Sequence, residues 1–97
     1  ATPQEIERLC RKWRIVRLEL FGSALRADFR HDSDIDLLAT FEEGIFWSAF
    51  RLHQAEQEFS QLFGRKVDLI SRRALERSDN PIRRKAILEH TELLYAA

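Results

Sequence analysis

The chain has 97 residues, of which 44% are hydrophobic and 33% charged, so its length and composition predict one compact domain over residues 1–97 rather than a disordered tail or a membrane segment. Sixteen basic residues balance sixteen acidic ones, and this neutrality gives no overall field that would make nucleic acid the default partner. The single cysteine, Cys10, excludes an internal disulfide. No apolar run approaches the roughly 18 residues that span a bilayer, and the N-terminus lacks the pattern of a signal peptide, so we expect a cytoplasmic location.

The first helix and the first strand are predicted by a change of hydrophobic period. Thr2, Pro3 and Glu5 form a capping-box start, which predicts a helix from Pro3 to about Trp13. The period then becomes two, which predicts a strand over Ile15–Phe21 with Arg17 and Glu19 on its polar face. The helix buries an apolar stripe made of Ile6, Leu9, Cys10 and Trp13.

The next segment combines a turn with a second strand. Gly22-Ser23 ends the first strand, Ala24–Ala27 favours a short helix, and Asp28–Ser33 reads as a loop. Asp34–Phe41 is then mostly apolar over the length of a strand, which predicts a central, well-covered position in the sheet.

The second half of the chain predicts two helices around a third strand. The longest helix falls within Ile45–Phe63, with Gly64 as its left-handed C-cap, and Lys66–Ser71 alternates as a strand. Asn80-Pro81 caps a final helix. That helix should gather Ile82, Ala86, Ile87, His90 and Leu94 on one side. The predicted order is αβ(α)βαβα, an α+β class with α/β-type packing.

Two aspartates on the second strand carry the first chemical signal. Asp34 and Asp36 are separated by one residue, so their side chains share one face with Cα atoms about 6.6 Å apart. Two carboxylates on one strand end repel each other unless a cation lies between them, and oxygen ligands suit Mg²⁺. Taken alone, however, an Asp-x-Asp pair is common, and a Gly-Ser turn ends many strands.

The combination of these features resembles a known family. Gly22-Ser23 and Arg26, followed by Ser33-Asp34-Ile35-Asp36-Leu37, look like the signature of the minimal nucleotidyltransferases in the DNA polymerase beta superfamily. The resemblance implies the nucleotidyltransferase fold, a small mixed β-sheet covered by helices. Members usually carry Ala-Arg-Gly where this chain has Leu25-Arg26-Ala27, a difference that would alter loop shape and nucleotide fit rather than remove a catalytic side chain.

The resemblance also implies roles for individual residues. Asp34 and Asp36 would hold two Mg²⁺ ions, and Asp68, if the third strand lies beside the second, would complete the site and accept the proton of the attacking hydroxyl. Gly22 and Ser23 would bind the triphosphate of ATP, whereas Arg26 would either bind phosphate or pair with a nearby aspartate.

The function implied by the resemblance is transfer of AMP from ATP to a hydroxyl. Small members often accompany a HEPN-type toxin and act as its antitoxin by modifying a tyrosine of that partner. The alternative is a module that neutralises its partner by contact alone, against which the intact carboxylate set argues. A third reading, nucleic-acid binding through the basic last third, lacks interleaved aromatic residues in that stretch, although the stretch could also meet phosphate or an acidic partner. The sequence leaves open the acceptor, the base and whether the chain forms a homo-oligomer.

Overall fold

The computed structural model describes residues 2–21, 34–44, 48–77 and 79–97, with Arg83 and Ala86 described in their backbone only. Four helices and four strands lie within these residues. In chain order they are α1 (Pro3–Lys12), β1 (Ile15–Phe21), β2 (Ile35–Phe41), α2 (Ala49–Phe63), β3 (Val67–Ser71), α3 (Arg72–Glu76), α4 (Pro81–Glu89) and β4 (Glu92–Ala96). None of these helices is both long and apolar enough to cross a bilayer.

The strands form one mixed sheet in the order β3-β2-β1-β4. β1 pairs antiparallel with both β2 and β4, whereas β2 and β3 are parallel. The predicted fold class, a small mixed sheet covered by helices, is confirmed, and β2 occupies the central position expected from its apolar sequence.

The two faces of the sheet are covered by different helices. On one face, Leu18, Leu37 and Val67 pack with residues of α1 and α2 such as Cys10 and Phe59, all almost fully buried. We call this the α1/α2 face. On the other face, the α3/α4 face, a smaller cluster joins Phe21 and Leu38 to Leu75 of α3, with Ile87 and Leu88 of α4 beside it. The main core therefore lies on the α1/α2 face, and the α3/α4 face retains room for polar groups.

The caps predicted for the first two helices are confirmed. The Thr2 hydroxyl accepts a hydrogen bond of 3.2 Å from the Glu5 N–H and so satisfies one of the free donors at the start of α1. Gly64 ends α2 with φ of 69°, a left-handed conformation in which a side chain would be strained. Ser48 caps the start of α2 through the N–H of Arg51.

The prediction for the end of the chain is wrong in two respects. α3 follows β3 directly and was not expected, and the final helix ends at Glu89 instead of continuing through Leu94. The segment after it forms β4, where Tyr95 pairs with Leu18 and Leu93 with Glu19. Pairing with the edge of β1 therefore outweighs the helical spacing of the apolar residues, as tertiary contacts often do over short segments.

Candidate active site

Asp36 and Asp68 lie side by side on neighbouring strands. They are register partners in the parallel β2–β3 pair, where adjacent strands are about 4.8 Å apart. Both are half-buried, whereas the flanking Leu37, Val67 and Leu69 are buried on the opposite side of the sheet. The expectation that the third strand lies beside the second, with Asp68 on the carboxylate face, is thereby confirmed.

Asp34 lies immediately before β2, at the same end of the sheet. The N–H of Ile35 donates to the carbonyl of Lys66 over 2.9 Å, which fixes the starts of β2 and β3 next to each other. Asp34 is exposed, two residues from Asp36. Among the residues that the structure describes, no three His, Cys, Asp or Glu side chains stand close enough together to hold a metal ion. The backbone register nonetheless places Asp36 and Asp68 on adjacent strand starts, and carboxylate side chains are chemically the kind of ligand that Mg²⁺ prefers.

The strand that carries Asp68 is held from outside by α2. β3 is an edge strand. Two of its N–H groups, those of Val67 and Leu69, donate hydrogen bonds to side chains of α2. Val67 donates to the Ser60 hydroxyl and Leu69 to the Glu56 carboxylate, each over 2.9 Å. These two bonds flank Asp68 on either side along the chain. They satisfy an edge that would otherwise be open to another strand, and they fix the backbone from which the Asp68 carboxylate projects.

A buried carboxylate, Glu19, lies on the α3/α4 face next to the candidate site. Only 3% of Glu19 is exposed. Its carboxylate accepts hydrogen bonds from residues of β1 and α3 and from a residue just before β4. Arg17 of β1 and Arg72 of α3 donate to one carboxylate oxygen at 3.0 and 2.9 Å, and the Thr91 hydroxyl donates to the other at 2.6 Å. Burying a charge is costly unless it is paired and hydrogen-bonded, and here both conditions are met.

The environment of Glu19 keeps it ionised. Burial raises the pKa of this carboxyl, but the hydrogen bonds from Thr91 and Arg17 and the positive charges of Arg17 and Arg72 outweigh burial and lower the pKa below its usual 4.5. Glu19 pairs with Leu38, two residues along the strands from the Phe21–Asp36 pair and on the same face of the sheet. Sequence reasoning placed Glu19 on a polar face and missed its burial. The available signal was an Arg-x-Glu pair on a strand flanked by apolar residues.

The predicted nucleotide-binding residues Gly22, Ser23 and Arg26 lie outside the described residues. Phe21, which precedes them in the chain, is the register partner of Asp36. β1 therefore ends at the same end of the sheet as the carboxylates of β2 and β3.

Comparison with known proteins gives the class of the chain. Residues 4–94 match the nucleotidyltransferase domain family. A Methanocaldococcus jannaschii protein named "Putative protein adenylyltransferase MJ1217" is 36% identical over 84 residues, which cover 87% of this chain and 79% of that protein. The chain belongs to the nucleotidyltransferase domain family, and it is a nucleotidyltransferase.

Two solved structures share the fold at low sequence identity. A crystal structure of a toxin–antitoxin with AMP-PNP matches with a TM-score of 0.75 at 18% identity. The match covers 100% of this chain and 75% of the chain in that structure. A structure of a tri-AMPylated Shewanella oneidensis HEPN toxin in complex with MNT antitoxin matches with a TM-score of 0.65, also at 18% identity. The match covers 98% of this chain and 70% of the chain in that structure.

Proposed function

We propose that this chain transfers AMP from ATP to a hydroxyl, a tyrosine hydroxyl of a HEPN-type partner protein, and acts as the antitoxin of that partner. The observation that carries the proposal is the register of Asp36 with Asp68, which puts two carboxylates on adjacent strand starts. The name of the Methanocaldococcus jannaschii relative supports protein adenylylation, and the toxin–antitoxin neighbours support the kind of partner.

The carboxylates have distinct roles in the proposed reaction. Asp34 and Asp36 would hold Mg²⁺, which supplies stabilisation of the charge that develops on the phosphate oxygens. Asp68 accepts the proton of the attacking hydroxyl while the oxygen of that hydroxyl forms a bond to the α-phosphorus. The bond from that phosphorus to the departing pyrophosphate breaks in the same displacement, so that AMP stays on the acceptor and pyrophosphate leaves.

The segment after β1 is proposed to bind the nucleotide. Gly22 has no Cβ to obstruct the triphosphate, and the Ser23 hydroxyl donates to a phosphate oxygen. Arg26 either binds phosphate or pairs with a neighbouring aspartate. These roles rest on the resemblance of the motif and on the position of Phe21 beside Asp36.

An ATP-labelling experiment tests the proposed reaction. The purified protein is incubated with Mg²⁺, a lysate of its own cell and ATP labelled at either the α- or the γ-phosphate. We expect a labelled protein with α-labelled ATP only, because AMP rather than the terminal phosphate is transferred. Asp36→Asn should abolish labelling while the fold is retained, since Asp36 lies outside the apolar clusters of the core.

The matched control is Asp79→Asn, which removes an exposed aspartate between α3 and α4, outside the strands that carry the carboxylate set. It should label as well as the wild type. Normal labelling by Asp36→Asn would contradict the role of the carboxylates, and label from the γ-phosphate would show a different reaction. Neutralisation of the partner by an Asp36→Asn protein that no longer labels it would favour the contact-only alternative.

A further inference from the structure

Two arginines, one on α3 and one directly after it, form no ion pair with any carboxylate in the described part of the chain. Arg73 and Arg77 are one helical turn apart and both exposed. Their neighbour Arg72, in contrast, is bound by Glu19 and Glu76. Like charges at this spacing repel each other along a helix. The sequence therefore keeps an unfavourable local arrangement that a negatively charged ligand would relieve.

An exposed apolar residue lies on α4, the helix that follows these arginines in the chain. A guanidinium nitrogen of Arg84 in α4 donates to the carbonyl of Glu76, the last residue of α3, over 3.3 Å, so this bond links the two helices. In the first turn of α4, Ile82 is 81% exposed. Arginine is enriched at protein interfaces, and the buried centre of such interfaces is apolar. We call the exposed residues Arg73, Arg77 and Ile82, on the two helices that the Arg84–Glu76 bond links, the α3–α4 corner.

The α3–α4 corner belongs to the side of the sheet that carries the candidate site. Leu75, in the middle of α3, is buried against Phe21 and Leu38 on the α3/α4 face. Phe21 is the register partner of Asp36, which is in turn the partner of Asp68. A molecule docked on this corner would consequently lie on the same side of the sheet as the two carboxylates.

The charge of residues 72–85 indicates which kind of partner the α3–α4 corner would bind. Residues 72–85 include six basic and two acidic residues, although the whole chain is neutral, so the rest of the chain is net acidic. A local positive excess of this kind favours an acidic partner. No aromatic residue occurs between positions 72 and 90, and single-stranded nucleic acid is bound largely by stacking on aromatic side chains. An acidic protein segment with an apolar side chain fits the corner better.

We propose that the α3–α4 corner docks an acidic segment of the acceptor protein, with Arg73 and Arg77 binding its carboxylates and Ile82 its apolar side chain. Docking there would hold the acceptor hydroxyl on the side of the sheet that carries Asp36 and Asp68. The proposal depends on the proposed function for the identity of the acceptor, but the binding step can be measured separately from transfer.

Binding of a short fluorescein-labelled peptide of glutamate with interspersed leucine and tyrosine tests the proposal by fluorescence anisotropy. Wild-type protein should bind the peptide, and added salt should weaken binding because exposed charges are screened. The double variant Arg73→Glu/Arg77→Glu should bind about tenfold more weakly or worse, since like charges would then face each other. Ile82→Ala should weaken binding several-fold. The control Arg8→Glu, which reverses an exposed arginine on α1, should leave affinity unchanged.

Several results would overturn the docking proposal. These are no binding by the wild type, equal losses in Arg77→Glu and Arg8→Glu, or tighter binding of a short single-stranded RNA through the same arginines. Loss of ATP binding by the double variant, measured by calorimetry, would also overturn it by assigning the arginines to the nucleotide site.

A second variant separates the failure of docking from the failure of the proposed function. Asp36→Asn should bind the peptide as the wild type does, because the docking surface contains no member of the carboxylate set. If the wild type labels no protein with AMP while the arginine variants still lose peptide binding, the proposed activity fails and the docking surface stands.

Discussion

Asp36 and Asp68 occupy equivalent places on adjacent strands, but their surroundings differ. Asp36 lies on a central strand, between β1 and β3, whereas Asp68 lies on the edge strand. The edge position leaves one side of β3 free of another strand, and the bonds from Val67 and Leu69 to α2 hold it in place. These bonds fix the backbone on either side of Asp68, which suits a residue proposed to accept a proton at a defined position.

Asp68→Asn should therefore separate binding from chemistry. If Asp68 accepts the proton of the attacking hydroxyl, its contribution arises mainly in the transition state, and its loss should lower the transfer rate roughly 10²–10⁴-fold. ATP affinity should change much less than in Asp36→Asn, which removes a proposed metal ligand. Single-turnover labelling and calorimetry of ATP binding measure the two quantities. Normal turnover by Asp68→Asn would remove Asp68 from the reaction.

At the residue scale, the sequence indicates carboxylates more readily than the groups that support them. Asp34 and Asp36 stand out because their spacing predicts a shared face of one strand, although Asp34 lies just before β2. The alternation of Val67 and Leu69 assigns Asp68 to the polar side. Alternation likewise assigns Glu19 to the polar face of β1, and yet Glu19 is buried. Its charge is compensated by hydrogen bonds from Arg72 and Thr91, which lie 53 and 72 residues away in the chain. Partners so distant in the chain cannot be inferred from local periodicity.

At the scale of elements, Glu19 joins β1 to the part of the chain that the sequence did not predict. Its carboxylate binds Arg72 at the start of α3 and Thr91 just before β4. α3 has five residues, too few for helical periodicity, and β4 contains leucines and alanine that also suit a helix. These two elements depend on tertiary contacts, whereas α1, α2 and the first three strands have caps and periods of their own.

Glu19→Gln should destabilise the fold far more than a matched change at Glu76. Removing the Glu19 charge takes away the buried partner of the partly exposed Arg17 and Arg72 and weakens hydrogen bonds to a charged group, which costs roughly 1.5–3 kcal/mol of unfolding free energy. Glu76 binds the same arginine over 3.1 Å, but its side chain is 55% exposed, so Glu76→Gln should cost less than about 1 kcal/mol. Urea denaturation followed by tryptophan fluorescence measures both values.

The pH dependence of the Glu19 effect has a definite sign. The folded-state pKa of Glu19 is lowered below 4.5, so its stabilisation is complete above pH 4.5 and is lost as the pH falls through the folded-state pKa. The difference in unfolding free energy between wild type and Glu19→Gln should be constant from neutral pH down to pH 4.5 and shrink below it. A difference that persists unchanged in stronger acid, or an equal cost for Glu76→Gln, would contradict this account.

At the scale of the whole molecule, the candidate site exists only when the sheet is formed. Its parts come from the end of β1 and the starts of β2 and β3, and the β2–β3 register is what brings Asp36 to Asp68. An unfolded chain has no such arrangement and little affinity for a metal–nucleotide complex. Binding of Mg²⁺–ATP should therefore add to the stability of the folded chain.

Thermal unfolding with and without Mg²⁺–ATP measures this coupling. At a ligand concentration of about 100 times its dissociation constant, the folded state gains about 2.7 kcal/mol, and for a domain of this size each kcal/mol raises Tm by about 4–8 °C. We therefore expect a rise of roughly 10–20 °C in the wild type. ATP with EDTA should give much less, because the carboxylates then face the triphosphate without a cation between them. Asp36→Asn should lose most of the rise, and Asp79→Asn should keep it. An equal rise in Asp36→Asn, or one that survives EDTA, would place nucleotide binding away from the carboxylates of β2 and β3.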